Sequence, residues 1–220
     1  FDLTRSKFFN QTSPANALAA ENSSESSKGQ QTQSVDGVEI LQENLDERQK
    51  TIEKALSDGI QDITNTLTGD CTINQVMQMI METIFRALEG SRVVLCLKDA
   101  KAAAIRARFG YGEDIDTVIH NFSIPLAYHP DVFHIAFKNN VDIRIEDTQD
   151  PKIREKIPDW YHNNINSRSF TIFPIVVKHS PIALIYIDNG KDKPIAISDT
   201  QLGLLKTLRN QAILAIKSNT

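Results

Sequence analysis

Residues 170–187 read "FTIFPIVVKHSPIALIYI" and constrain the fold of this 220-residue chain more than any other stretch. Two apolar runs rich in Ile, Val and Phe flank the short, polar, proline-bearing "KHSP", a pattern that predicts a β-hairpin. Neither run alternates with polar residues. Both faces of both strands must therefore be covered, which places the hairpin at the centre of a sheet held between two layers. Pro174 lacks a backbone donor, so a bulge or a locally unpaired position is expected within the first strand.

The material for two covering layers is visible on either side. Thr72 and Gln75 have capping-box spacing, and Ile73, Val76, Met77, Ile80, Met81, Ile84, Phe85 and Leu88 follow as an apolar helical stripe ended by Gly90. Core packing is the expected role of the paired Met77 and Met81 at this spacing. Ser198 and Gln201 repeat the capping box before a last helix from about Asp199, apolar over more than half its girth through Leu202, Leu205, Leu208, Ala212 and Ile216. Leu41, Leu45, Ile52, Leu56, Ile60, Ile63 and Leu67 predict a long helix over about 39–68, broken near Gly59.

Shorter elements fill the middle. "VVLCL" (93–97) reads as a central strand, and "AIRARFG" (104–110) alternates, with Ile105, Ala107 and Phe109 on one face and Arg106 and Arg108 on the other. "FSIPL" (122–126) and "VDIRI" (141–145) read as further strands. Between them, 131–140 reads as a helix capped by Asp131, and 150–158 as a short helix or turn ended by Pro158. Hairpin-joined strands with helices at both ends predict an α+β domain around an antiparallel sheet, not a doubly wound parallel one. Residues 11–36 are dominated by Ser, Gln, Asn, Thr and Ala. Such a stretch buries too little apolar surface to offset the entropy of ordering, so 1–37 is expected to be a flexible segment or linker and 38–220 the domain. The chain starts at Phe1 rather than Met and is read as part of a longer protein.

Composition narrows the function. The net charge of −4 offers no field for a phosphate backbone, so nucleic acid is not an expected partner. No apolar run approaches the ~20 residues that span a bilayer. The two cysteines, Cys71 and Cys96, lie far apart and match no metal, redox or disulfide spacing, which fits a reducing cytoplasm. Phosphate-loop, dinucleotide, nucleophile-elbow and HExxH motifs are missing, so no catalytic residue is assigned. His129, Asp131 and His134 are close in sequence, but their spacing does not bring all three to one helical face, and no metal is expected.

Candidate binding residues remain, each with a structural alternative. Arg106 and Arg108 can receive an anion or form a solvated strand face. Phe133, His134 and Phe137 line a pocket or pack their helix on the sheet. Trp160 and Tyr161, with polar tips, form a lid that is wet on one side or plug the space under a long connection. Tyr186, on the second hairpin strand, completes the set.

The segments "IFRALEGSRVVLCLKD", "FPIVVKHSPIALIYID" and "ISDTQLGLLKTLRNQAILAI" resemble a GAF domain, over about 50–218. "RARFGYG", "DVFHIAFKNNVDIRIED" and "IPDWY" are similar to GAF domains that follow an HDOD domain in bacterial signalling proteins. The resemblance implies a six-stranded antiparallel sheet, terminal helices on one face, and connecting segments over a small-molecule pocket on the other. It also implies a non-catalytic sensory role beside another signalling domain, with dimerisation through terminal helices; a ligand-free dimerisation module is the alternative. Neither cysteine is followed by His or lies in a connecting segment, against covalent bilin attachment. "IDNGKDKPIAISDTQ" breaks the cyclic-nucleotide pattern of related domains. The residues name neither a cofactor nor the ligand.

Overall fold

The expected hairpin forms the middle of the sheet. In a computed structural model of the chain, which describes residues 33–191 and 193–218, β5 (Phe170–Val177) and β6 (Ser180–Asp188) pair antiparallel from Phe170 opposite Asp188 to Val177 opposite Ser180. The turn is tighter than "KHSP" implies. Only Lys178 and His179 connect the strands, both left-handed at φ +50° and +62°, which is the backbone of a primed two-residue turn. Pro174 stays in the ladder opposite Leu184, and the irregularity falls one step later, between Ile175 and Val176. The Pro174 carbonyl accepts from Arg209 Nη1 at 3.2 Å, which ties this strand to the last helix.

Six strands form one sheet in the order β3-β2-β1-β6-β5-β4, every pair antiparallel. The others are β1 (Arg92–Asp99), β2 (Ala104–Tyr111), β3 (Ser123–Pro125) and β4 (Ile143–Ile145). The helices are α1 (Gln33–Leu67), α2 (Ile73–Ala87), α3 (Ile115–Asn121), α4 (Val132–Asn139), α5 (Pro151–Arg154), α6 (Asp159–Asn164) and α7 (Asp199–Ser218). The expected fold class is therefore the observed one, with two helices, α3 and α6, that the sequence pattern does not announce.

One face of the sheet carries α1, α2 and α7. Leu56, Ile63, Val76, Ile80, Met81, Ile84, Leu205, Leu208 and Ala212 pack there against Val93, Leu95, Phe173, Ile185 and Ile187. Both capping boxes form: Thr72 and Gln75 satisfy each other's backbone donors, as do Ser198 and Gln201. The helix α1 runs unbroken through Gly59 and starts at Gln33 rather than near 39. Gly59 serves packing rather than a break: a Cβ there would overlap the Thr83 side chain of α2, with Thr83 Oγ1 at 2.6 Å. The chain divides into two units, Phe1–Ile40 and Leu41–Thr220. Most of the expected linker, 1–37, lies outside the described residues.

The opposite face is covered by α3 to α6, which bury Val94, Cys96, Ile105, Ala107, Phe170, Ile172, Leu184 and Tyr186. The expected alternation of β2 holds only in part. Leu95 faces Phe109 but Cys96 faces Ala107, so Arg108 is an extra residue in the strand. This bulge turns Phe109 to the terminal-helix side, where it meets Tyr111 edge-on, while Ile105 and Ala107 stay under the connecting segments.

Candidate functional site

The residues singled out from sequence fall into two places. Phe133, Trp160, Tyr161 and Tyr186 converge under the connecting segments. Asp131 caps α4 by accepting from the Phe133 and His134 amides, which holds Phe133 inward, fully buried. Pro158 opens α6, and this six-residue helix carries Tyr161 into the core while Trp160 stays half-buried. Tyr186 comes from β6, facing the same side.

Two further rings join them, Phe122 from the end of α3 and Phe170 from β5. Phe133 stacks on Phe170 at 5.7 Å between centroids and lies 5.3 Å from Trp160. Phe122 meets Trp160 at 5.3 Å and Tyr186 at 4.8 Å, and Tyr161 lies 4.9 Å from Phe170. These are contact distances for aromatic pairs, so the six rings fill the space between sheet and cover. Phe137 packs on their outer side, half-buried.

A buried polar relay runs beneath the rings. Tyr186 donates its hydroxyl proton to Asp188 Oδ2, so in the 3.0 Å contact between the two tyrosine oxygens Tyr161 is the donor. Arg92 grips the same carboxylate with Nε at 2.6 Å and Nη2 at 2.7 Å, and the Gly190 amide adds a bond of 3.0 Å. Asp188 is fully buried, and this bidentate pair with its two extra donors satisfies its lone pairs. Burial first, and then the Asp188 charge, hold the Tyr161 and Tyr186 hydroxyls well above the usual tyrosine range. Burial works against the Arg92 charge, but the Asp188 bond and charge outweigh it and raise its pKa. Arg92 and Asp188 escaped the sequence analysis because they are 96 positions apart; the available signal was that Tyr186 and Asp188, two apart on one strand, share a face.

His134 does not line the ring cluster. Its Nδ1 lies 2.8 Å from Asp131 Oδ2 and its Nε2 2.9 Å from the Pro125 carbonyl, so the ring clamps the α4 cap to β3. His129 is a ring neighbour of His134 at 5.9 Å. Among the described residues, no group of three or more His, Cys, Asp or Glu converges as metal ligands would.

Arg106 and Arg108 lie elsewhere, at the open edge of β2. They line a cleft of about 310 Å³ together with Ala107, Ile119, His120 and Phe122. Arg108 Nη2 bonds Asp99 Oδ2 at 2.7 Å. The Ala102 amide first, and then the Arg108 charge, keep the Asp99 carboxyl below its ordinary value. His120 was not singled out from sequence, because α3 itself was missed.

A sheet held between terminal helices and connecting segments defines the class of protein, a three-layer α+β domain. Solved structures share it. The chain is similar to the GAF domain of an Acinetobacter phosphoenolpyruvate-protein phosphotransferase at 14% identity, with 73% of this chain and 92% of that chain covered and a TM-score of 0.56. It is similar to a methyl-accepting chemotaxis protein, residues 122 to 287, at 22% identity, 71% and 95% coverage and a TM-score of 0.57. The reduced form of fRMsr of Staphylococcus aureus matches at 12% identity, 73% and 94% coverage and a TM-score of 0.53. At such identities the likeness shows the fold alone. No curated protein matches. The GAF domain family model matches residues 72–216, and the chain belongs to this family, whose members are commonly sensory or regulatory domains of signalling proteins.

Proposed function

We propose that the chain is a non-catalytic regulatory GAF domain of a larger bacterial signalling protein, acting in the cytoplasm through its terminal helices as a homodimer. The observation that carries this reading is the filled interior: six rings occupy the space that a ligand would need, so the surface left for signalling is the helical layer. Residues 42–51 of α1 are all exposed, Leu45 by 54%, and Leu214 on α7 by 59%. A helical stretch bare on every side gains little from the domain and much from pairing with a second copy. Likeness to the GAF domains that follow HDOD domains makes such a chain the expected context.

The non-catalytic reading is supported by the cysteines. Cys96 is buried, and burial raises its thiol pKa and keeps it protonated; Cys71, half-buried, precedes α2. No helix among the described residues is long and apolar enough to cross a membrane.

A second reading, small-ligand sensing between sheet and α6, is favoured by Trp160, which is only half-buried over the cluster and stands where a lid would move. Analytical ultracentrifugation separates the two. The dimer reading predicts a concentration-dependent dimer that Leu45→Asp and Leu214→Asp weaken without loss of the folded spectrum. A monomer, or a dimer indifferent to both changes, overturns it.

A further inference from the structure

A second arginine–aspartate pair lies largely out of solvent, and it is built unlike the first. Arg92 and Asp188 meet through two bonds of 2.6 and 2.7 Å, and Tyr186 and the Gly190 amide add two further donors to the carboxylate. Arg209 of α7 reaches Asp142, just before β4, through one bond of 3.3 Å from Nη2 to Oδ2, with Nη1 3.2 Å from Oδ1. Nη1 gives its hydrogen bond to the Pro174 carbonyl instead. Both side chains are only 13% exposed, yet Asp142 Oδ1 and Arg209 Nε are buried without a hydrogen bond. Burial outweighs the Arg209 and Lys206 charges and holds the Asp142 carboxyl above its ordinary range. A pair so loosely satisfied returns little stability, because each partner regains hydration on parting.

The pair's place in the fold gives this looseness a use. β4 is an outer strand of the sheet, and its Ile143 and Ile145 face the ring cluster. Asp142 and Arg144 therefore face the other layer, where Arg144 bonds the Ile197 carbonyl at 3.0 Å just ahead of α7. Upstream, the Val141 amide bonds the Ala136 carbonyl of α4, the helix that sets Phe133 against Phe170 and Trp160. A continuous chain of contacts thus runs from the rings through α4 and β4 to α7. We infer that the Asp142–Arg209 pair is a releasable latch in this chain: closed, it holds α7 against β4; open, it frees α7 when α4 and β4 are displaced. The signalling role of that release rests on the regulatory reading above, and the latch itself does not. The charged groups acting on Asp142 are Arg209 and Lys206 of α7, both cationic, while Arg144 beside it is held by Glu146 and the Ile197 carbonyl. Protonating Asp142 leaves the two cations without their counter-charge, so acid is one trigger. Because the folded carboxyl lies above its ordinary range, neutralising it opens the latch without lowering the stability of the whole domain.

The test is amide hydrogen exchange of the full chain at pH ~7 and pH ~4.5, compared as protection factors, with urea midpoints alongside. Asp142→Asn is expected to lower protection in residues 205–212 of α7 about fivefold or more at the higher pH, while α2 and the urea midpoint hold. Acid is expected to do the same to the unmodified chain and to a control, Glu146→Gln, and to add nothing in Asp142→Asn. The readout is on the amides of α7 itself, so it decides the latch whether the chain sediments as a monomer or a dimer, and sedimentation decides the dimer separately. The inference is overturned if Asp142→Asn leaves α7 as protected as before. It is equally overturned if that change lowers protection and midpoint throughout the domain, as loss of a structural ion pair would, or if acid loosens α7 to the same extent in Asp142→Asn as in the unmodified chain.

Discussion

Lys178 and His179 hold left-handed backbone at the tip of the central hairpin, where neither has glycine's freedom. Each costs about 1–2 kcal/mol relative to a residue suited to that region. Replacing the pair by Asn-Gly is expected to stabilise the domain by about 1–2 kcal/mol, read as a higher urea midpoint at unchanged slope. A second expectation concerns the relay. Tyr161 and Tyr186 have hydroxyl pKa values raised in the fold, so their contribution is complete below the unfolded value of about 10 and is lost as pH rises toward the folded values. Stability should fall above pH ~10 by up to about 1.4 kcal/mol per unit for each, and Tyr161→Phe together with Tyr186→Phe should flatten that decline in alkaline urea titrations. Trp160→Ala, at a half-buried site, should cost about 2–3 kcal/mol in the same assay, below the range for a fully buried ring. The aromatic members of the cluster were legible in sequence because large rings with polar tips rarely sit in connections without a purpose. Their partners were not: Phe122 looked like the start of a strand, and Arg92 meets Asp188 only through the pairing of β1 with β6.

Elements with a long apolar period were legible, and elements of one or two turns were not. The stripes of α2 and α7 and their capping boxes mark those helices over 15 and 20 residues. Seven residues in α3 and six in α6 are too few to establish a period, and their helical form follows from the sheet they cover. Likewise the bulge at Arg108 leaves no trace in an alternating sequence, because it is the register with β1 that makes one residue supernumerary. Gly59 misled for a related reason. Inside a helix glycine reads as a weak point, whereas here it lets α1 approach Thr83 of α2. Gly59→Ala should therefore destabilise by about 1–3 kcal/mol in thermal or urea unfolding, against the helix propensity of alanine, and Thr83→Ala should recover part of the loss in a double-mutant cycle.

At the scale of the whole molecule, the two layers differ in what they bury and what they expose. The covering segments close a filled aromatic interior and tie it, through Tyr161, Tyr186 and Asp188, to Arg92 at the start of β1. The terminal helices carry the exposed apolar residues Leu45 and Leu214. The arrangement of layers could be read from the doubly apolar hairpin; that the interior is occupied by side chains depends on how six rings from five elements fit, which no local pattern encodes. Native mass spectrometry of the freshly purified chain and of its Trp160→Ala variant tests whether a filled interior leaves signalling to paired terminal helices. The expected result is a dimer that holds no small molecule among the six rings. A retained small molecule that Trp160→Ala releases, or a monomer throughout the micromolar range, is the opposite result.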